Sequence, residues 1–179
     1  MRELILGGAR SGKSRLAEQR AADTGLAVTY VATAVAGDDE MAERIRRHRE
    51  QRPQHWHTVE APTGLGHEVR RAHHAGQLVL VDCLTLWLGH WIDDAAGWQR
   101  ERDDLLAQLD AVTGQVILVS NEVGLGIVPD NALARHYRDE AGRLHQQLAA
   151  VCDQVTFVAA GLPLTLKQPS VSSRDGTQA

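Results

Sequence analysis

"ELILGGARSGKS", residues 3–14, decides how the chain is read. A short apolar run, ELIL, leads straight into GGARSGKS, which fits the pattern G-x-x-x-x-G-K-[S/T]. A loop between a strand and the start of a helix is where phosphate groups are held. Glycines let the backbone come close, successive N–H groups converge on phosphate oxygens, and the helix N-terminus adds favourable partial charge. Gly7, Gly8, Ala9, Arg10, Ser11, Gly12, Lys13 and Ser14 are therefore the candidate nucleotide-binding residues. Lys13 is placed to reach β- and γ-phosphates and Ser14 to ligate Mg²⁺. A chance match to this pattern in a chain of ordinary glycine content has odds on the order of 1%.

Outward from this loop, apolar β-branched runs alternate with longer amphipathic segments. The runs are ELIL (3–6), LAVTYVAT (26–33), QLVLVD (77–82), GQVILVS (114–120) and QVTFVAAG (154–161). Their near-continuous apolarity suits strands covered on both faces of a parallel sheet. The spacing predicts helices over Lys13–Thr24, Asp38–Arg52, Thr63–Ala75, Leu84–Ile92, Gly97–Val112 and Asn131–Cys152. Strand alternating with helix gives a doubly wound α/β fold of the phosphate-loop NTPase type, with a largely parallel sheet flanked by helices. Residues 1–167 read as one nucleotide-binding domain, and 168–179, polar and short of large apolar residues, as a disordered C-terminal tail.

Composition narrows the class. Hydrophobic residues at 43% and charged residues at 23% are those of a soluble globular protein. A net charge of −4 disfavours a dedicated nucleic-acid binder. No run is long and apolar enough for a signal peptide or a bilayer span, which points to the cytoplasm. Cys83 and Cys152, both in apolar surroundings, read as buried free thiols. The histidine pairs His55/His57 and His73/His74 lack the spacing of a zinc site.

A phosphate loop needs a second carboxylate on the magnesium side, at the end of a neighbouring strand, and Asp82 closes QLVLVD in that position. Taken alone, such an aspartate is as readily a helix cap. Asp82 is followed by CLT rather than the glycine of a GTPase switch, and Asn121 lacks the lysine and aspartate of a guanine reader. A small-molecule phosphotransferase remains, with a non-enzymatic nucleotide-binding regulator as the rival.

The motifs then converge on one family. GGARSGKS, DDEMAERIRRHREQRP (38–53) with HWHTVEAP, VDCLTLWL, SNEVGLGIVPDNALARHYRDEAG and AAGLPLTLK occur in that order. Together they resemble the bifunctional adenosylcobinamide kinase / adenosylcobinamide-phosphate guanylyltransferase of cobalamin biosynthesis, from Leu4 to about Lys167. The resemblance implies phosphorylation of adenosylcobinamide by a nucleoside triphosphate, then transfer of GMP from GTP with release of pyrophosphate. It implies GTP and ATP as substrates, a small-molecule corrinoid acceptor, and a homo-oligomer, a trimer in the family. It also implies a covalent guanylyl-histidine at His48, a residue that from its surroundings alone reads as a half-buried structural histidine. If His48 is the nucleophile its imidazole must be neutral, and Arg44, Arg46, Arg47 and Arg49 are expected to disfavour imidazolium.

Some residues stay open between two readings. Glu60, at a strand end, accepts a substrate proton, binds ribose or is simply solvated. Asn121 and Glu122 begin a loop on the sheet's carboxyl edge, where open α/β sheets bind ligands, and either touch substrate or build the loop. Arg135, Arg138 and Arg143 lie on the long helix, for phosphate contact or for pairing with Asp139 and Glu140. Gly89-His90 and His145 depart from the Thr-Asn and Asn usual in the family, which bears on fine specificity.

Overall fold

The computed structural model describes residues 1–35, 37, 39–74 and 76–169, with the side chains of residues 40, 41, 44, 48, 51 and 74 outside that description. The expected tail therefore lies outside the described residues from residue 170 onward.

Seven strands form one sheet in the order β3-β2-β4-β5-β1-β6-β7. They are β1 (Arg2–Gly7), β2 (Val28–Ala32), β3 (His57–Glu60), β4 (Leu78–Asp82), β5 (Val116–Asn121), β6 (Gln154–Ala159) and β7 (Leu162–Lys167). The first six pair in parallel, and β7 returns antiparallel on β6. The helices are α1 (Lys13–Asp23), α2 (Asp39–Gln51), α3 (Leu65–His74), α4 (Leu84–Trp91), α5 (Ala95–Ala111) and α6 (Ala132–Val151). The doubly wound, largely parallel α/β fold read from the sequence is the fold observed. Two strands extend it: β3, whose side chains are half-buried or exposed, and β7, exposed along its whole length.

The four central strands β4, β5, β1 and β2 bury nearly every residue, which is why they read as continuous apolar runs. On one sheet face Leu4, Leu6, Val79, Val81 and Leu118 pack under Leu84, Trp87, Leu105, Leu109, Leu144 and Leu148. Trp87 and Trp98 meet edge to face with ring centroids 5.0 Å apart. On the other face Ile5, Leu80, Ile117 and Val119 pack against Ala17 and Ala21, small residues that let α1 lie close to the sheet. Each fully buried leucine or isoleucine contributes about 1.5–3 kcal/mol relative to exposure.

The helix ends follow local chemistry. Asp94 caps α5 by accepting from Gly97 N, so α5 starts before the expected Gly97, and Asn131 caps α6 by accepting from Ala134 N. At the other end of α6, Lys167 Nζ donates to the carbonyls of Ala149, Ala150 and Cys152, placing a cation on the helix's negative pole. Cys83 and Cys152 are both buried free thiols. Among the described residues no helix is long and apolar enough to cross a membrane.

One carboxylate is buried inside the sheet. Glu3, only 1% exposed, pairs with the Arg20 guanidinium and accepts from Thr156 Oγ1 at 2.8 Å and Gln154 Nε2 at 3.2 Å. Arg20 also donates to Thr156 Oγ1 at 3.1 Å. This network ties α1 to β1 and β6.

Candidate active site

The strand register brings the carboxyl ends of β1, β4 and β5 to one edge: Gly7 lies beside Asn121, and Asp82 beside Ala32 and Val119. Above this edge opens a cleft of about 730 Å³. Its lining includes Arg10, Ser11, Gly12, Lys13 and Ser14 from the phosphate loop, with Asp82 and Asn121 opposite. Gly7, Gly8 and Ala9 form the strand-side arm of the loop.

The loop's residues are set by its backbone. Gly12 adopts φ 96°, a left-handed conformation that favours glycine, and α1 begins directly after it. A Cβ on Gly7 would lie 2.5 Å from both Ser11 Oγ and Val158 O, so no side chain fits there. Ser11 is 8% exposed and its Oγ has no hydrogen-bond partner among the described residues, although it lies on the cleft. A hydroxyl left in that state is available to a ligand. Lys13 is equally buried and its Nζ donates to Gly8 O at 3.2 Å, folding the ammonium back over the loop. The turn between β6 and β7 braces the loop from outside: Gly161 N donates to Ser11 O at 2.8 Å.

Asp82 is held by Tyr30, whose hydroxyl donates to Asp82 Oδ2 at 3.0 Å. Burial and the nearby Asp82 charge push the Tyr30 hydroxyl well above its ordinary range, so it stays a donor. Asn121 is fixed by Nδ2 donating to Thr85 Oγ1 at 3.0 Å, and Thr85 is itself anchored where its carbonyl accepts from Tyr137 OH at 2.7 Å. Burial raises Tyr137 to about 12, keeping that donor protonated as well.

The cleft also holds residues not singled out as site candidates from the sequence, among them Glu18, Tyr30 and Arg52. Glu18 stands one helical turn beyond Ser14, a spacing that would have flagged it. Its carboxyl is raised above the usual range by burial and by Asp82, with Arg52 opposing. Tyr30 carries no local signal, and Arg52 stands in the 38–53 stretch that carries the resemblance, but only the fold brings the two together.

The other candidates sit elsewhere. Glu60 is exposed and lies 3.9 Å from the Arg49 guanidinium. Glu122 turns onto its own loop, accepting from Gly124 N at 2.8 Å and Leu125 N at 3.0 Å, which is the architectural one of its two readings. Arg138 pairs with Asp139 and Arg143 with Glu140, while Arg135 braces the loop through Pro129 O and Asp130 O. His48 belongs to α2, but its side chain lies outside the described residues.

Two of the arginines expected around His48 have glutamate partners on their own helix. Arg46 pairs with Glu43 and Glu50, and Arg47 with Glu43, so their charge is largely balanced within the helix. Helix-surface glutamates three or four residues away compete for these guanidiniums, a pattern visible only once the faces are known. The pairing holds the Glu43 carboxyl down at about 2.

The two unusual histidines serve internal bonds. His90 Nε2 donates to Thr33 O at 2.9 Å, and His145 Nε2 meets Ser120 Oγ at 2.7 Å. Burial lowers the His145 pKa from its ordinary 6.5, with the Glu122 charge opposing. The unfolded chain therefore binds this proton more readily, and the neutral histidine's stabilising contribution is lost as pH falls below about 6.5. Urea midpoints taken from about pH 7.5 down to about pH 5.5 are expected to fall less steeply for His145→Asn than for the native chain. Parallel slopes would mean that His145 does not set this limb.

Comparisons with known proteins agree with this geometry. Residues 3–166 match the family model described as cobinamide kinase / cobinamide phosphate guanyltransferase. The chain is 57% identical over 169 residues to the bifunctional adenosylcobalamin biosynthesis protein CobP of Pseudomonas aeruginosa, covering 93% of this chain and 98% of the relative. It is 41% identical to the bifunctional adenosylcobalamin biosynthesis protein CobU of Escherichia coli, covering 92% of this chain and 98% of that protein. The protein of the same name from Salmonella typhimurium is 42% identical over the same shares. With a phosphate loop opposite a strand-end aspartate and a family match that spans nearly the whole sequence, this chain belongs to the cobinamide kinase / cobinamide phosphate guanyltransferase family.

Proposed function

We propose that this chain phosphorylates the terminal hydroxyl of adenosylcobinamide's aminopropanol arm and then transfers GMP from GTP to that phosphate, by way of a guanylyl-His48, within cobalamin biosynthesis. The observation that carries the reading is the single cleft in which Ser11, Lys13 and Ser14 face Asp82 and Asn121, in a chain of this family. In the first step the substrate hydroxyl oxygen forms a bond to a γ-phosphorus and gives up its proton to solvent, while the bond to the β,γ-bridging oxygen breaks and the nucleoside diphosphate leaves with that electron pair. Lys13 and the loop N–H groups stabilise the charge that gathers on the phosphate oxygens.

In the second step a neutral His48 nitrogen supplies the electron pair for an N–P bond to the α-phosphorus of GTP. The bond to the α,β-bridging oxygen breaks and pyrophosphate leaves with that pair. An oxygen of adenosylcobinamide phosphate next attacks the same phosphorus, and the N–P electrons return to the imidazole.

A hard-oxygen donor set on the cleft, the Ser14 hydroxyl and the Asp82 carboxylate, fits Mg²⁺. Bound there, the ion would neutralise charge on the phosphates. The working form is a cytoplasmic homo-oligomer, a trimer as in the family. An exposed apolar stretch, with Leu125 at 79%, Ile127 at 98% and Val128 at 63%, supports association between copies.

Intact-protein mass after incubation with Mg²⁺ and GTP tests the reading. The native chain is expected to gain an acid-labile GMP-sized adduct that His48→Asn lacks. A folded native chain that binds GTP without forming an adduct would remove the covalent route and leave a plain kinase. An adduct persisting in His48→Asn would move the nucleophile to another residue.

A further inference from the structure

We propose that Asn121 orients the acceptor hydroxyl in the first reaction. Its side-chain oxygen accepts the hydrogen bond of the alcohol O–H and so aims an oxygen lone pair at the γ-phosphorus. This rests on the phosphorylation half of the reading above.

β5 runs between the strand that carries the phosphate loop and the strand that ends at Asp82. Asn121, its last residue, lies level with Gly7 and beyond Val119, the partner of Asp82. It continues the alternation of Ile117 and Val119, which pack on the α1 side of the sheet, and it lines the cleft. The amide is anchored through its nitrogen. Nδ2 donates to Thr85 Oγ1 at 3.0 Å, and Thr85 is itself 3% exposed. The Thr85 hydroxyl also meets Cys83 Sγ at 3.1 Å, while its carbonyl accepts from Tyr137. Asn121 Oδ1 has no hydrogen-bond partner among the described residues. An amide held at one end in this way keeps its oxygen as a pre-set acceptor.

Phosphorylation of an alcohol needs such an acceptor. The loop N–H groups, Lys13, and the Ser11 and Ser14 hydroxyls suit phosphate oxygens and metal, whereas the attacking alcohol brings an O–H that must be turned away from phosphorus. The carboxylates on the cleft are Glu18, Glu43 and Asp82. Glu43 is held by Arg46 and Arg47, and Asp82 accepts from Tyr30 and fits Mg²⁺. Glu18, as an anion, would set a negative charge against the γ-phosphate, which a neutral amide does not. Asn121 takes no proton. The oxygen–phosphorus bond forms, the β,γ-bridging bond breaks, and the hydroxyl proton passes to solvent as described. Transfer of GMP to His48 has no alcohol acceptor, so Asn121 has nothing to orient in that step.

The test measures single-turnover phosphorylation of adenosylcobinamide with Mg²⁺ over a range of ATP concentrations, beside GMP-adduct formation from GTP. It compares the native chain with Asn121→Leu, Thr85→Val and Thr85→Ser, each checked by thermal unfolding. At saturating ATP, Asn121→Leu is expected to slow phosphoryl transfer by about 10²-fold. Its half-saturating ATP concentration and its adduct rate are expected to stay within about threefold of native. Thr85→Val, which frees the amide, is expected to lose about tenfold, and Thr85→Ser, which keeps the hydroxyl, to stay within about threefold. If Asn121→Leu does not fold, the two Thr85 variants decide, and equal rates for them overturn the proposal. Phosphoryl transfer within about threefold of native in Asn121→Leu, a loss that saturating ATP restores, or an equal loss in both reactions would also overturn it and leave the kinase reading standing. A native chain that does not phosphorylate adenosylcobinamide removes that reading and the proposal together.

Discussion

Lys13→Met is expected to lower both phosphorylation and GMP transfer by about 10³-fold, roughly 4 kcal/mol of transition-state stabilisation. The ammonium is buried at the bottom of the cleft and bent over the loop it serves, within reach of Gly8 O. Phosphoryl transfer leaves little covalent chemistry to the protein, so positioning and charge carry most of the rate enhancement. Removing this cation takes away charge that both reactions need on the β- and γ-phosphates, where ADP or pyrophosphate departs. The methionine fills similar volume, so the variant is expected to fold. Initial rates of ADP and pyrophosphate release, read beside the melting curve, check both halves. A variant that keeps either activity within tenfold would mean that the phosphates of that reaction lie elsewhere.

Arg20→Met is expected to cost about 3–5 kcal/mol of folding free energy. The cost comes less from the lost attraction than from Glu3, which stays in the sheet at 1% exposure with Thr156 and Gln154 as its remaining donors among the described residues. Replacing both partners, Glu3→Leu with Arg20→Met, removes the stranded charge and is expected to recover most of the loss. Urea unfolding of the two single variants and the double variant gives the coupling directly. Additive losses would show that Glu3 is solvated without Arg20.

Much of the fold was legible because the central strands are buried on both faces. Residues such as Leu4, Leu80 and Leu118 announce themselves as apolar runs, and helix boundaries fall within a few residues of expectation. The edges were less legible. β3 carries half-exposed polar residues, and β7 holds Pro163 with no buried position, which edge strands tolerate and central strands do not. The phosphate loop is a local motif and could be read directly. Asp82 and Asn121 could be placed because strand ends in an open α/β sheet share one edge. What escaped was tertiary: Arg52 over Tyr30 joins a helix end to a strand, and Arg46 with Arg47 turned out to be spoken for by Glu43 and Glu50.

The Gly161 amide bound to Ser11 O means that the phosphate loop is gripped from two ends of the chain at once. The N-terminal segment supplies its backbone, while the β6–β7 hairpin, more than a hundred residues later, holds its crest. Opening of the outer hairpin would slacken the loop even with every phosphate-binding residue intact. During synthesis, a ribosome that has released residues 1–159 has made every parallel strand but no finished nucleotide site.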